Sequence, residues 1–591
     1  MSFDAIIVFI VLAFILVSFY KEIVGPAFTF LIAVVILGAV NILTPSEILG
    51  GFANEQISVI VMLLLVGDII RKAAIVEFLF NRVFKSAKSY KGFMRQMMLI
   101  IAPFSAFLNN TPLVAVMMPY VHNWSKRNNI SPSKLLIPLS YAAILGGCAT
   151  LIGTSTNLIV NGFVADQKIF PEIQSLGLFD FAYVGLPMMI IGFLYIIFIG
   201  DKLLPLKKDV ISEFSTNARK YIVEARVRKG SFLIGKTIEE AGLRNLPGLF
   251  LVEILRNKLR LKAVSPDTII EQGDILYFAG DTETIAEMID TDMGLTLSEV
   301  GMFLKKKHTE VIEIVVSHNS SLINKTVKEA SFRGKYDAAI IAVYRNGERI
   351  MGKIGPVKLR AGDALLLLSG DAFSERMADT HDFYLISKIK DIRKLEFYKV
   401  AVLLGGTALA IALSALGFIS LFMGLIILTI LILLLKIASP KDLYKSIDYN
   451  LIIIIALSLA LGIAMIKSGV AEMIAEVFIK LFQPLGPLGI LFGIYFVTAV
   501  LAAYITNKAA VAIIFPISLT IAKDMALNPM PFILIVAFAA AANFMTPIGY
   551  QTNLMVYGPG GYSFKDFFRI GFPLTIIYMI VTVLILNFVY F

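Results

Sequence analysis

The stretch FLNNTPLVAVMMP, residues 107–119, indicates a duplicated fold, because YITNKAAVAIIFP, residues 504–516, repeats it in the second half of the chain. In both copies an asparagine, Asn110 or Asn507, stands nine residues before a proline. Each copy also interrupts an apolar stretch with a short polar cluster. Non-helical backbone persists within lipid only where it lines a cavity or is buried in protein. We therefore interpret the stretches at about 93–121 and 486–520 as two re-entrant helical hairpins.

A second pair of matching stretches follows the hairpins. ILGGCATLIGTSTNLIVNG (144–162) aligns with AAANFMTPIGYQTNLMVYG (540–558), so that Gly153 matches Gly549 and Thr156 matches Thr552. The glycines and the proline in these stretches predict a helix that is broken in the middle of each half. A hairpin and a broken helix in each of two repeats are typical of secondary transporters, whose binding site lies near the bilayer midplane.

The composition is that of a membrane protein. Of 591 residues, 58% are hydrophobic and 16% are charged, whereas soluble domains carry about 25% charged residues. The first apolar run lacks the basic start and the cleavage site of a signal peptide. Apolar segments long enough to cross a bilayer lie near 4–20, 23–43, 57–77, 134–162, 182–203, 396–414, 416–436, 449–467, 530–556 and 568–590.

These segments predict a polytopic α-helical membrane protein made of two repeats, residues 1–206 and 396–591. Each repeat has five crossings and one hairpin, and because five is an odd number the second repeat is inverted relative to the first. The net charge of +10 sets the orientation. With both termini outside, most lysines and arginines fall in the cytoplasm, as the positive-inside rule requires, and residues 207–395 are cytoplasmic. The basic charge therefore indicates membrane orientation and no nucleic-acid partner.

The charged middle region contains a duplication of its own. Residues 235–281 match residues 324–371, with short alternating strands and a Gly-Asp turn before the last apolar strand. This pattern predicts two small α/β modules, at residues 207–299 and 300–395.

The first module contains GSFLIGKT, residues 230–237, which has the pattern of a phosphate-binding P-loop. The matching residues of the second module, 319–326, keep Lys325-Thr326 but lack both glycines. Both copies instead predict a capped turn, in which Thr237 or Thr326 pairs with a glutamate three residues later. We therefore predict neither ATP hydrolysis nor any other enzymatic activity. The single cysteine, Cys148, also excludes a disulfide framework within the chain.

The hairpin tips are the candidate binding site. A helix N-terminus carries partial positive charge and free N–H groups, which favour an anion. The amides of Asn110 and Asn507 can donate to substrate oxygens, and their carbonyl oxygens can ligate a hard cation such as sodium. The alternative for one tip alone is an ordinary helix start, with Thr111 as N-cap and Pro112 at the first helical position. Repetition in register favours a site that holds an anion and a cation together.

These motifs resemble the divalent anion–sodium symporter family, which carries sulfate and di- or tricarboxylates. The central duplicate resembles the TrkA C-terminal (RCK-C) ligand-sensing domain. The resemblance implies an elevator-type homodimer coupled to Na+, with no other cofactor. It leaves two roles open for the RCK-C-like domains, binding of a small regulatory ligand or dimer contacts. It implies a sodium site formed by Ser105, Asn109, Asn110, Gly153, Thr506, Asn507 and Gly549. It implies a substrate site formed by Asn110, Thr111, Thr156, Asn507, Lys508, Thr546, Pro547 and Thr552.

Two tip residues depart from the family pattern. Asn109 stands where serine is usual, and its carbonyl oxygen can still ligate a cation. Lys508 stands where threonine is expected, and a lysine at membrane depth is costly unless it has a function. The hypothesis is that Lys508 pairs with the anion or replaces a second sodium ion; the alternative is that its ammonium group extends to the membrane surface.

Sulfate is the first expected substrate of this symport. A dicarboxylate such as succinate is the alternative within the same fold, since no residue in the sequence decides between the two. A further alternative, suggested by the RCK-C resemblance, is a regulated potassium transporter, although the T-V-G-Y-G filter of potassium channels is absent from the sequence.

Overall fold

The structure is a computed structural model in which long helices flank two small β-sheets. It describes residues 2–21, 23–72, 89–173, 175–207, 222–243, 249–257, 259–262, 267–280, 295–297, 310–318, 320–345, 348–350, 354–369, 373–378, 380, 382–385, 397–440, 443, 447 and 449–591. The end of the predicted span 57–77 and the predicted boundaries at 299/300 and 395/396 lie outside these residues.

In the described part of the first half the regular elements are all helices. Its helices are α1 (Phe3–Lys21), α2 (Pro26–Ala39), α3 (Pro45–Gly50), α4 (Glu55–Lys72), α5 (Tyr90–Phe107), α6 (Asn110–Arg127), α7 (Leu136–Gly147), α8 (Ser155–Asp166) and α9 (Ala182–Tyr195). A π-helical turn, Ile196–Gly200, extends α9 to Asp201–Leu203. Helices α5 and α6 form a hairpin, and α7 and α8 are two parts of a helix that is broken between Gly147 and Ser155.

The second half repeats this order. Its helices are α12 (Phe397–Ala415), α13 (Leu421–Leu434), α14 (Tyr449–Lys467), α15 (Val470–Phe482), α16 (Gly486–Tyr504), α17 (Asn507–Asp524), α18 (Pro529–Ala541), α19 (Gln551–Tyr557) and α20 (Phe564–Tyr590), with α10 and α11 in the middle region described below. Helices α16 and α17 form the second hairpin, and α18 and α19 are the second broken helix. The sequence reasoning did not predict α15, because its charged residues Glu472, Glu476 and Lys480 separate it from the uninterrupted apolar spans.

Among the described residues, five helical segments are long and apolar enough to cross a membrane. They are Pro45–Gly67, Ala182–Leu203, Tyr398–Ala415, Val470–Tyr504 and Phe564–Tyr590. Shorter apolar helices lie at Phe3–Phe19, Pro26–Ala39, Leu421–Leu434, Ile452–Lys467 and Pro529–Ala541.

Small residues hold the hairpins and broken helices together. A Cβ atom added to Gly146 of α7 would lie 2.1 Å from the carbonyl oxygen of Ala102 in α5. A Cβ atom added to Gly571 of α20 would lie 2.1 Å from the carbonyl oxygen of Phe544, within the second break. Backbones that approach this closely are typical of helix packing in membranes, where small residues provide the contact. These contacts fix the position of both breaks.

The middle region folds into two similar sheets. The first contains β1 (Ile222–Val227), β2 (Leu249–Arg256), β3 (Leu259–Lys262), β4 (Ile275–Gly280) and β5 (Leu295–Leu297), in the spatial order β3-β2-β4-β1-β5. The second contains β6 (Glu310–Val316), α10 (Phe332–Tyr336), β7 (Ala338–Arg345), β8 (Glu348–Arg349), β9 (Ala364–Ser369), α11 (Phe373–Ala378) and β10 (Phe383–Leu385), in the strand order β10-β6-β9-β7-β8.

All described strand pairs in both sheets are antiparallel, so each module is an antiparallel sheet with short helical segments. The same ion pair, between a partly exposed arginine and a buried aspartate, stands in each sheet. Arg256 donates to both carboxylate oxygens of Asp274, at 2.9 and 2.8 Å, and Arg345 donates to both oxygens of Asp363, at 2.8 and 2.7 Å. The equivalent pairs show that the two modules share one local fold.

The P-loop-like stretch is a turn in this structure. Gly235 has a φ of +83° and its counterpart Asn324 has a φ of +65°, a left-handed conformation that glycine and asparagine adopt most readily. Thr237 and Glu240 exchange the two hydrogen bonds of a capping box, at 2.9 and 3.2 Å. Thr326 and Glu329 do the same at 2.8 and 3.1 Å. The left-handed turn therefore favours glycine or asparagine at this position, which explains Gly235 without a phosphate ligand.

Candidate functional site

The two hairpin tips present helix N-termini. At the first tip Asn109, and not Thr111, is the N-cap of α6, and its side chain accepts a hydrogen bond from the N–H of Thr111 at 3.3 Å. At the second tip Thr506 is the N-cap of α17, and its hydroxyl accepts from the N–H of Ala509 at 3.2 Å. Each tip asparagine is therefore the first residue of its helix, where N–H groups are unpaired within the helix.

Asn110 is the centre of a buried polar cluster. With its oxygen directed at Tyr550, Asn110 accepts from the Tyr550 hydroxyl at 2.6 Å and donates to the carbonyl oxygens of Ala143, at 3.1 Å, and Gly153, at 3.2 Å. The hydroxyl of Ser105 contacts the same amide and donates to Ala143 at 2.8 Å. Helix α5, helix α6 and the first break thus meet at one side chain.

The two breaks share one hydrogen-bond pattern. The hydroxyl of Thr150 donates to the carbonyl oxygen of Ala106 in α5 and accepts from the N–H of Gly153 at 3.2 Å, and Asn157 donates to the carbonyl oxygen of Thr150 at 2.9 Å. Each hairpin is therefore tied to the break that follows it.

In the second half Thr546 takes the place of Thr150. Its hydroxyl donates to the carbonyl oxygen of Ala503 at 3.2 Å and accepts from the N–H of Gly549 at 3.1 Å. Asn553 donates to the carbonyl oxygen of Thr546 at 3.2 Å. Thr150, Asn157 and Asn553 were not among the predicted site residues, although the alignment of Thr150 with Thr546 contained the signal that could have found them.

Side chains also connect the first tip with the second break. The Tyr550 hydroxyl contacts Asn110 and lies 3.0 Å from the hydroxyl of Thr154. The hydroxyl of Thr111 donates to the Gln551 side chain at 2.8 Å. The hydroxyl of Ser140 in α7 donates to Thr552 at 2.8 Å or Asn553 at 2.7 Å. The two halves of the chain therefore build one site between them.

The second tip and the second break contain buried polar atoms without a partner among the described residues. Within the described chain, the buried Oδ1 of Asn507 and both side-chain amide atoms of Asn543 lack a hydrogen-bond partner. A Cβ atom on Gly549 would lie 2.0 Å from the Asn543 amide nitrogen, so glycine is required above this asparagine. These atoms are available to a ligand.

The remaining predicted residues lie near these clusters. Lys508 is half-buried in the first turn of α17, and Thr156 is buried in the first turn of α8. Pro547 is buried in the second break beside Thr546. A cavity beside the first tip is lined by Asn109 and Ser155 and reaches Thr407 of α12.

The described residues contain no group of three or more histidine, cysteine, aspartate or glutamate side chains that could hold a metal ion. The oxygen atoms of the site come instead from asparagine amides, hydroxyl groups and backbone carbonyls. Oxygen ligands of this kind suit hard cations rather than zinc or copper.

The sequence is similar to that of known transporters. A family described as "Citrate transporter" matches residues 7–499 and 485–591. An uncharacterized transporter of Synechocystis is 32% identical, over 98% of this chain and 96% of that protein. A putative sulfur deprivation response regulator of Chlamydomonas reinhardtii is 32% identical over 92% of this chain and 94% of its own length. A probable sodium/sulfate cotransporter 3 of the same alga is 25% identical over 95% of this chain and 86% of its own length.

Proposed function

The chain belongs to the citrate transporter family, and we propose that it is a symporter that couples a small dianion, sulfate, to sodium. It is a polytopic helical membrane transporter and not an enzyme. One observation carries the proposal: each hairpin is tied by the same hydrogen bonds to its own broken helix, and the first tip is hydrogen-bonded to the second broken helix. Such N-termini favour an anion, while the carbonyl and amide oxygens around them suit a hard cation.

The proposed sodium ligands are the predicted ones, grouped as two half-sites. Ser105, Asn109, Asn110 and Gly153 form the first, and Thr506, Asn507 and Gly549 form the second. Two contacts support the grouping. The amide of Asn110 lies within hydrogen-bond distance of both the Ser105 hydroxyl and the carbonyl oxygen of Gly153, and Ser105 also bonds Ala143. In the second half-site, Thr546 connects α16 with Gly549.

The proposed substrate site lies between these half-sites. It contains Asn110, Thr111, Thr156, Asn507, Lys508, Thr546, Pro547 and Thr552. Sulfate is preferred to a dicarboxylate because the large ring of Tyr550 brings its hydroxyl to Asn110 and Thr154, where it takes up space beside the first tip and favours a compact anion. The names of two relatives, which mention sulfur deprivation and sodium/sulfate cotransport, point the same way. The family name keeps a carboxylate as the alternative.

The proposed transport cycle is of the elevator type, in a homodimer with inverted repeats. Hairpins and broken helices form the moving part, and the cavity between the first tip and α12 lies at its boundary with the rest of the protein. The two sheets are proposed to lie in the cytoplasm and to regulate transport, as RCK-C domains do.

The test is uptake of radiolabelled sulfate into proteoliposomes, with an inward sodium gradient, a matched potassium control and no ATP. We expect uptake that requires sodium and that unlabelled sulfate competes away. Asn110→Ala should abolish it, whereas Asn128→Ala, an exposed residue at the end of the same helix, should retain it. Tyr550→Thr should increase competition by succinate.

The other outcomes separate the alternatives. Uptake of succinate but not of sulfate would replace the substrate and keep the symport mechanism. Potassium flux without movement of either anion would contradict the proposal.

A further inference from the structure

The second sheet contacts the helix that carries part of the site. The turn before β9, residues 360–363, packs against α19: a Cβ atom on Gly362 would lie 2.5 Å from Cδ1 of Leu554. The turn after α19 is equally close, since a Cβ atom on Gly558 would lie 2.8 Å from the carbonyl oxygen of Gly362 and 2.9 Å from Cβ of Ala364. The backbones of the sheet and the broken helix therefore touch.

Other parts of the second sheet extend this contact. Val315 of β6 is fully buried within the hydrophobic core of the long helices, not within the core of its own sheet, and Tyr384 of β10 packs against the same core. Strand β10 also contacts α6, the helix that begins with Asn110. The sheet thus contacts the first hairpin and the second broken helix, which together form the cross-half part of the site.

The first sheet provides an internal comparison. Its equivalent turn contains Gly273, with a φ of +86°, and Gly362 has a φ of +84°. Each glycine precedes the aspartate of the repeated ion pair, Asp274 or Asp363. Yet Gly273 is exposed, and in the described part of the chain nothing lies within 4 Å of a Cβ atom placed on it, whereas Gly362 is buried. The burial of Gly362 is therefore caused by docking and not by the fold of the turn.

We propose that the turn 360–363 is a docking element. Through it the second module holds α6 and α19, the site-forming helices, in the conformation seen here. The equivalent turn of the first module has no such role. Leu554 follows Gln551 and Thr552 within one short helix, so a module fixed to Leu554 is fixed to residues that bond Thr111 and Ser140. The contact therefore slows transport, because the site-forming helices exchange conformation only when the turn releases them.

The matched substitutions Gly362→Ala and Gly273→Ala test, in the full-length protein, whether the contact of the turn 360–363 with α19 slows transport. Both impose a side chain on the same left-handed backbone, so the strain within each turn is equal. Only the alanine at 362 collides with Leu554. We expect Gly362→Ala to raise the initial rate of anion uptake severalfold over Gly273→Ala. Equal rates in the two variants would overturn the proposal.

Cross-linking tests the contact without any transport measurement, so the docking can be judged even if the proposed function, on which the uptake assay rests, fails. The pair Ala361→Cys and Leu554→Cys should be joined by a short bifunctional maleimide, and the native Cys148 is buried. The control pair, Gln272→Cys and Leu554→Cys, should remain unjoined. In proteoliposomes the cross-link at 361–554 should stop uptake. Equal cross-linking of both pairs, or uptake that continues after cross-linking, would contradict the proposal.

Discussion

At the scale of single residues, the two tip asparagines differ in their hydrogen bonds. Asn110 is paired at both ends of its amide, whereas Oδ1 of Asn507 and the amide of Asn543 lack a partner in the described chain. A buried polar group without a partner costs about 1–3 kcal/mol. A ligand that pairs with these atoms recovers this cost, so an ion or substrate bound at the second tip and the second break would stabilise them.

Lys508, the neighbour of Asn507, can be tested by substitution. Lys508→Thr restores the residue usual in the resembling family, and we expect it to change the dependence of uptake on sodium or to abolish uptake. The control is Lys523→Thr, an exposed lysine in the last turn of the same helix. Initial rates measured across a series of sodium concentrations test this, and rates equal to those of the unmodified protein would remove Lys508 from the site.

The comparison of the two halves of the sequence identified Asn110 and Gly153 as candidate site residues. In the structure the amide nitrogen of Asn110 lies 3.2 Å from the carbonyl oxygen of Gly153. The comparison could not find Tyr550, because the first half has Thr154 at the matching position. A residue that differs between two copies carries no repeat signal. Its contact with Asn110 depends on how the halves pack, which is a property of the folded chain.

At the scale of elements, apolar segments and their polar interruptions predicted where helices begin, end and break. Helices end and begin at the predicted tips, and both broken helices are interrupted where glycine and proline indicated. The amphipathic helix α15 was not predicted because its apolar run is short and charged. The sequence predicted the short strands of the modules but no strand direction, since alternation in a sequence does not distinguish parallel from antiparallel pairing.

Asp382 stabilises one of these elements, the second sheet. Although burial raises its pKa, hydrogen bonds from Tyr336, the Ser321 N–H, Lys335 and Thr380 outweigh burial and hold the pKa well below its usual range. Because the folded pKa is lowered, the stabilisation is complete above the ordinary carboxyl pKa of about 3.9 and is lost progressively as the pH falls from that value through the lowered pKa of the folded state.

We therefore expect Asp382→Asn to destabilise this part of the sheet at pH 7, with faster hydrogen–deuterium exchange in residues 320–336. Glu348→Gln, an exposed carboxylate on β8, is the control and should leave exchange unchanged. The unmodified protein should lose stability below about pH 4. Equal exchange in both variants would show that the hydrogen bonds of Asp382 contribute nothing.

At the scale of the whole molecule, two helical halves share one site and two sheets lie between them in the sequence. Internal repetition made this division predictable, because each repeat can be compared with its copy. The unequal contacts of the two sheets were not predictable. Gly273 and Gly362 occupy the same position in their modules, and only tertiary packing distinguishes them.

The proposed orientation of the chain in the membrane can be tested by cysteine labelling from each side. Lys229→Cys lies on an exposed turn of the first sheet, and Lys168→Cys lies in the loop proposed to be outside. A membrane-impermeant maleimide should label position 168 in right-side-out vesicles and position 229 only in inverted ones. Labelling of both positions from the same side would refute the orientation derived from the basic residues.

The exposed turn at Gly273 also has a practical use. Exposed turns accept inserted domains, and the first sheet touches the second through β4 and β7. A fluorescent protein inserted after Gln272 would therefore sit beside the module that docks on α19. Its emission would change when the docked module releases, which would convert the transporter into an optical sensor of its own working cycle.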